Sequence, residues 1–193
     1  MQDLPNYFEY EPEIRPAIMT LVNSQPLDNT PFIAPYVQIN ESVCRKALEF
    51  SGIKPTESLL DLGCGDGTIL KTAYSESIQR LVGVEFDPLL CKHIRQKCPY
   101  IELYEQDMFT VDLELLNVDV MILYLLEQGL GKLKEILKRW LKNERRIVTV
   151  GYFIPGWVPV KTTSVKVEDG FMGGAQQDEQ MLYYYDYTIN KEQ

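Results

Sequence analysis

The stretch that decides the fold is Leu59-Leu60-Asp61-Leu62-Gly63-Cys64-Gly65-Asp66-Gly67-Thr68-Ile69-Leu70. An apolar run carries one acid, and three glycines then alternate with small or acidic residues. Glycine permits a tight turn and lets a ligand approach the backbone, so the pattern reads as a strand that ends in a binding loop. A helix opening there starts with unpaired N–H groups and the positive end of its dipole. A phosphate, a dinucleotide or an adenosine-bearing cofactor can use such a loop. A P-loop needs Gly-Lys-Ser/Thr at this point, and the chain has Gly67-Thr68 without the lysine. That argues against a nucleoside triphosphatase.

Strands and helices alternate outward from the loop. Residues 58–63 read as a strand and 66–75 open a helix. Residues 80–86 form a second strand, and Asp87-Pro88 starts a helix to about Lys97. Residues 100–106 and 118–125 are the third and fourth strands. The fourth is almost wholly apolar, as a strand buried on both faces must be. A helix over 129–142 and a fifth strand over 145–152 follow. This alternation predicts an α/β fold, a parallel sheet with helices on both faces. The rhythm then breaks. Residues 153–160 hold two prolines and a glycine, and 162–169 and 180–189 read as two strands joined by the loop 170–177. A short connection between neighbouring strands makes that pair antiparallel. Ahead of the first strand, Asn40 caps a helix from Glu41 to about Ser51, closed by Gly52. Residues 1–38 carry six prolines and read as an extended arm with one short helix near 13–23. With no inner linker, residues 39–193 are expected to form a single core domain.

Two acids fall in register with the loop. Glu85 ends the second strand, twenty residues after Gly65, where a carboxylate can take both hydroxyls of a ribose. Asp107 ends the third, within reach of an adenine amino group. Both could instead simply cap the next element, as Asp87 is expected to do before Pro88. Asp61 separates the cofactors. A carboxylate at the strand end repels a pyrophosphate and suits a cationic amino group, such as that of a methionine moiety. The pattern therefore favours S-adenosylmethionine over NAD.

Composition narrows the partners. The net charge of −9 over 193 residues argues against a broad grip on nucleic acid, so no DNA partner is expected. Seven basic residues against two acidic ones over 130–146 read as a solvated helix face. Four cysteines without a CxxC pair, and one histidine, predict free thiols and no metal site. His93 is expected at the surface, without a chemical role. No apolar run approaches a membrane span, and the N-terminus resembles neither a signal nor a transit peptide. A cytoplasmic or nuclear monomer without a membrane anchor is expected.

Leu59 to Gly67, Gly83-Val84-Glu85-Phe86-Asp87 and Glu105-Gln106-Asp107-Met108-Phe109 resemble the three cofactor motifs of class I S-adenosylmethionine-dependent methyltransferases. The resemblance implies a Rossmann-like, mostly parallel seven-stranded sheet with an antiparallel C-terminal strand. It implies S-adenosylmethionine as cofactor, held by Tyr36, Asp61, Gly63, Cys64, Gly65, Gly67, Glu85, Phe86, Asp107, Met108 and Tyr124. Residues 31–43 and 146–160 are similar to the narrower family of ATP synthase c-subunit and adenine nucleotide translocase lysine methyltransferases. Ile154-Pro155-Gly156-Trp157-Val158-Pro159 matches that family's Phe-Pro-x-x-Trp-x-Pro segment in part. The mitochondrial members carry an apolar N-terminal anchor that this sequence lacks, which disfavours a mitochondrial membrane substrate. A lysine side chain of a protein is the expected acceptor, with a small-molecule acceptor or a non-catalytic cofactor-binding scaffold as alternatives.

The acceptor pocket is expected past the fourth strand, where Tyr124-Leu125-Leu126-Glu127 replaces the Asn/Asp-Pro-Pro-Tyr/Phe of adenine-N6 and glutamine methyltransferases. Tyr124 and Glu127 are the candidate catalytic residues. Tyr124 either hydrogen-bonds the incoming amine or packs over the adenosine. Glu127 either attracts an ammonium or caps the next helix. Tyr36 and Gln38 read as a lid over the cofactor or as packing of the arm. Trp157 reads as a wall of the substrate channel, through cation–π contact with lysine, or as a core plug.

Overall fold

A computed structural model describes residues 39–142, 144–167 and 179–188. The arm with Tyr36 and Gln38, and the loop 170–177, lie outside the described residues.

Helix α1 (Glu41–Ser51) has both ends written in its sequence. The Asn40 side chain accepts from the Ser42 amide at 2.8 Å, a cap worth about 1 kcal/mol. Gly52 ends the helix at a left-handed φ of 65°. The alternation then runs β1 (Ser58–Leu62), α2 (Thr68–Ser75), β2 (Arg80–Glu85), α3 (Pro88–Lys97), β3 (Glu102–Glu105), α4 (Leu113–Leu116), β4 (Val120–Leu123), α5 (Glu127–Trp140), β5 (Arg146–Val150), β6 (Lys161–Lys166) and β7 (Glu179–Asp186).

These strands form one sheet in the order β3-β2-β1-β4-β5-β7-β6. β1 to β5 pair in parallel, and β7 lies antiparallel between β5 and β6. The expected mostly parallel, seven-stranded Rossmann-like sheet is therefore present. Every residue of β1 and β4 is buried, because alternate side chains enter two separate cores. Leu59, Val120, Ile122 and Val148 face α1 and α2 with Ala47, Leu48 and Leu70. Leu60, Leu62, Met121 and Ile147 face α5 with Leu130, Leu133, Leu137 and Trp140.

Several sequence expectations need correction. α4 is a single turn capped by Asp112, too short to show a period. α5 starts at Glu127 and ends at Trp140, so part of the basic run lies beyond it. Those residues meet acids: Arg145 reaches Glu114 at 2.8 Å, and Arg146 reaches Glu57 at 2.7 Å. His93 is half-buried rather than exposed. The tyrosine run 183–185 and 187 reads from sequence as packing along a sheet edge with alternating faces; the faces alternate, but β7 is an interior strand, and Tyr185 is wholly buried beneath the α5 side. All four cysteines are buried and free.

Gly83 in β2 is the tightest joint between sheet and loop. A Cβ there would stand 2.9 Å from Cys64 Sγ and 3.1 Å from Leu70 Cδ1. Gly83→Ala is expected to lower stability by about 1–3 kcal/mol through overpacking. Urea unfolding should show a lower midpoint with an unchanged slope. An unmoved midpoint would show that Cys64 has room to yield.

Candidate active site

The glycine loop is tied to β2 by its own amides. Gly63 N and Cys64 N both donate to the Val84 carbonyl, at 2.8 and 3.0 Å. Gly65 N donates to Glu85 Oε2 at 2.8 Å. Gly67 N donates to the Cys64 carbonyl at 2.8 Å, and Thr68 N to Asp66 Oδ1 at 3.0 Å. Gly63, Gly65 and Gly67 all have positive φ, so only glycine follows this path without strain. Of these amides only that of Thr68 belongs to α2, and Asp66 takes it. A phosphate would find these five already taken.

Two other loops close on the end of β1. A Cβ on Gly63 would meet Met108 Cε at 2.9 Å and Leu125 Cδ2 at 3.4 Å. The segments after β3 and β4 thus converge with the glycine loop. Asp107 shapes the first of them: its Oδ1 accepts from Phe109 N at 2.9 Å, and its carbonyl accepts from Thr110 N at 3.0 Å. Asp87 caps α3 as expected, accepting from Leu89 N at 2.8 Å.

Three acids meet at this end of the sheet, each in a different state. Asp66 is buried, which raises its pKa, but Thr68 and Lys71 (Nζ at 3.0 Å) outweigh burial and hold it below the ordinary value. Glu85 is also raised by burial. Three backbone donors, from Gly65, Phe86 and Asp87, pull it back without cancelling the rise. A carboxylate offers about four acceptor positions, so one lone pair on Oε2 remains. Asp61 is only 3% exposed. Among the described residues no cation and no hydrogen-bond donor reaches its carboxylate. Burial first, then the charges of Glu85 and Asp66, push its pKa well above the ordinary value. A buried carboxylate without a partner is costly, and a cation relieves it. The residues therefore fit a ligand that brings positive charge to Asp61 and a hydroxyl group to Glu85.

Cys64 is buried, and burial together with Asp61 and Glu85 raises its thiol far above the reactive range. Phe86, 43% exposed, flanks Glu85 on the outer side. Tyr124 follows β4 and lies half-buried against Gly151, whose Cβ would stand 4.0 Å from its ring. Burial raises the Tyr124 phenol, a hydrogen bond from Gln180 lowers it, and the net shift is upward. Glu127 is exposed and is the first residue of α5. Leu126 holds the cap position, so Glu127 is not the cap. Its charge complements the helix dipole. Trp157 does not reach the site: 5% exposed, it meets Tyr185 edge-on at 5.7 Å in the core under α5. It is a core plug rather than a channel wall. The residue missed by sequence reasoning is Gln180, because a lone glutamine ahead of a tyrosine run carries no signal.

The chain is similar to a protein-lysine N-methyltransferase of Saccharolobus islandicus (strain REY15A), 33% identical over 148 residues, which are 72% of this chain and 88% of that protein. It is similar to ribosomal RNA small subunit methyltransferase A of Chlorobaculum parvum, 31% identical over 66% of this chain, but over only 46% of that protein. Among solved structures it resembles an RNA methyltransferase from Salinibacter ruber in complex with S-adenosyl-L-homocysteine. The TM-score is 0.66 and the identity 27%, over 77% of this chain and 92% of that one. Sheet order, glycine loop and acid cluster, with these likenesses, define a class I S-adenosylmethionine-dependent methyltransferase. Residues 61–161 match the model of the ANTKMT methyltransferase domain, and the chain belongs to that family.

Asp61→Asn should separate stability from binding. A carboxyl whose folded pKa is raised loses stability as pH climbs from its unfolded value, about 4, toward the folded one. The asparagine variant without cofactor is therefore expected to melt higher than wild type at neutral pH, with the gain fading toward pH 4. The same variant should bind S-adenosylhomocysteine more weakly by about 1.5–3 kcal/mol. Melting curves across pH and titration calorimetry check both. A variant with lower stability and unchanged affinity would contradict the account of Asp61.

Proposed function

We propose that this enzyme methylates the side-chain amine of a lysine in a protein substrate. The observation that carries the reading is the likeness to a protein-lysine N-methyltransferase along 88% of that protein's length. The segment after β4 agrees: Tyr124-Leu125-Leu126-Glu127 lacks the Asn/Asp-Pro-Pro-Tyr/Phe that adenine-N6 transfer uses. A second reading, with RNA as acceptor, draws on the Salinibacter and Chlorobaculum relatives.

In the proposed site Asp61 faces the cationic amino end of the cofactor. Glu85 takes a ribose hydroxyl on its remaining lone pair, and Asp107 takes the adenine amino group on Oδ2. Phe86 and Met108 flank the adenine. Gly63, Cys64, Gly65 and Gly67 supply a backbone with no side chain in the way of the sugar and methionine. Held there, S-adenosylmethionine would supply a methyl group already activated by its bond to a cationic sulfur.

The chain's own task is positioning and exclusion of water. A lysine amine has an ordinary pKa of about 10.4, and an apolar setting favours its neutral form. Leu125 and Met108 provide that setting beside Gly63. Tyr124, with its phenol pushed up, stays protonated. It holds the amine by hydrogen bonding and does not act as a base. Glu127, exposed at the head of α5, attracts the arriving ammonium before it enters.

The test uses radiolabelled S-adenosylmethionine and an extract of cells lacking the gene, with Asp61→Ala as control. Label is counted in protein, nucleic acid and small-molecule fractions. Label in a protein band, lost with the control and recovered as methyl-lysine after hydrolysis, supports the reading. Label confined to RNA supports the second reading and overturns the first.

A further inference from the structure

Gln180 is a polar side chain at the start of β7 that the cofactor reading does not use. Its Oε1 atom is buried and has no hydrogen-bond partner. A buried unpaired acceptor forfeits its water without compensation, so it marks a place where a donor is due.

The sheet places this atom with the site. Asp61 pairs in register with Ile122, and Tyr124 lies two residues beyond Ile122, so both project on one face. Leu182 of β7 enters the same core as Ile122, and Gln180 lies two residues ahead of it. Leu182 pairs with Val150, the last residue of β5, and Gly151 N donates to the Met181 carbonyl at 2.8 Å. β7 runs antiparallel, so its start stands at the end of the sheet where β1, β4 and β5 finish. Gln180 is also the side chain whose hydrogen bonding opposes the upward shift of the Tyr124 phenol, as a neighbour of that hydroxyl would. Cys44 of α1 is buried in the core cluster against which Tyr124 packs.

We infer that Gln180 Oε1 and Tyr124 Oη form a two-point acceptor that grips the two N–H bonds of the incoming neutral amine. The inference rests on the lysine reading above. A neutral primary amine has two donors and one lone pair. With both donors engaged, the lone pair has a single direction left. Tyr124 can accept from the amine while it is held by the Gln180 amide, so the glutamine both fixes the tyrosine and supplies the second acceptor. Orientation of this kind raises the rate of transfer without touching the cofactor.

Gln180→Leu, Gln180→Glu and wild type are compared on the methyl-lysine band found in the extract. Affinity for S-adenosylhomocysteine by calorimetry and melting temperature are measured beside activity. Gln180→Leu is expected to lose about tenfold to a hundredfold in kcat/KM. Its cofactor affinity should stay within about twofold of wild type, since a role at the acceptor leaves cofactor binding alone. Gln180→Glu keeps an acceptor oxygen but loses the amide donor to Tyr124 and adds a charge, so it should recover only part of the loss. Gln180→Leu with wild-type kcat/KM overturns the inference and leaves the lysine reading standing. A loss matched by equal weakening of cofactor binding, or by a large fall in melting temperature in both variants, also overturns it, because the role is then structural. Wild-type protein that yields no methyl-lysine overturns both together.

Discussion

The structure depends on three consecutive amides that β2 holds. Val84 offers its carbonyl to Gly63 and Cys64, and Glu85 offers its side chain to Gly65. No ligand is needed for this clamp. It turns the chain off the end of β1, aims α2 back across the sheet and leaves the Asp61 carboxylate facing inward. Gly83 is part of the same joint, since the Cys64 sulfur packs where its side chain would stand. The glycines of the loop therefore serve two purposes. They follow a left-handed path that other residues resist, and they leave open ground at Gly63, where Met108 and Leu125 close in.

The acids at this end are a cost that the fold carries in advance of its ligand. Asp66 is compensated by Lys71 and Thr68, and Glu85 by backbone donors. Asp61 is not compensated among the described residues. Removing the charges of Asp61 and Glu85 would stabilise the sheet end and leave nothing to select a cationic ligand. Functional sites are where such local violations are expected, because complementarity to an absent partner looks like a defect in its absence. The same logic applies to Gln180 Oε1 on the neighbouring part of the sheet.

Much of this was legible in the sequence, for reasons that particular residues show. Asp61, Gly63, Gly65, Gly67, Glu85 and Asp107 lie at strand ends in consecutive βα units, so spacing along the chain fixes their meeting in space. Asn40 and Gly52 announce both ends of α1, because caps are local chemistry. α4 was not legible, since four residues show no period. Neither was the engagement of Glu85 by three amides, which depends on how two loops dock rather than on any pattern within one of them. Trp157 read as a channel wall or as a core plug, and only the packing of β7 shows Tyr185 against it.

The acceptor side is less legible than the cofactor side for a topological reason. The residues proposed for the cofactor mostly follow β1, β2 and β3, neighbours in the chain and in the sheet. Tyr124 follows β4, and Gln180 opens β7, fifty-six positions later and next to β5 only because β7 inserts between β5 and β6. Spacing carries no information across such a gap, because β6 and the loop before β7 can change length without moving Gln180 relative to Gly151. Its place is set by the ladder bond from Gly151 N to Met181. The glycine loop has no such freedom, because its amides are spaced to meet Val84 and Glu85 of the neighbouring strand.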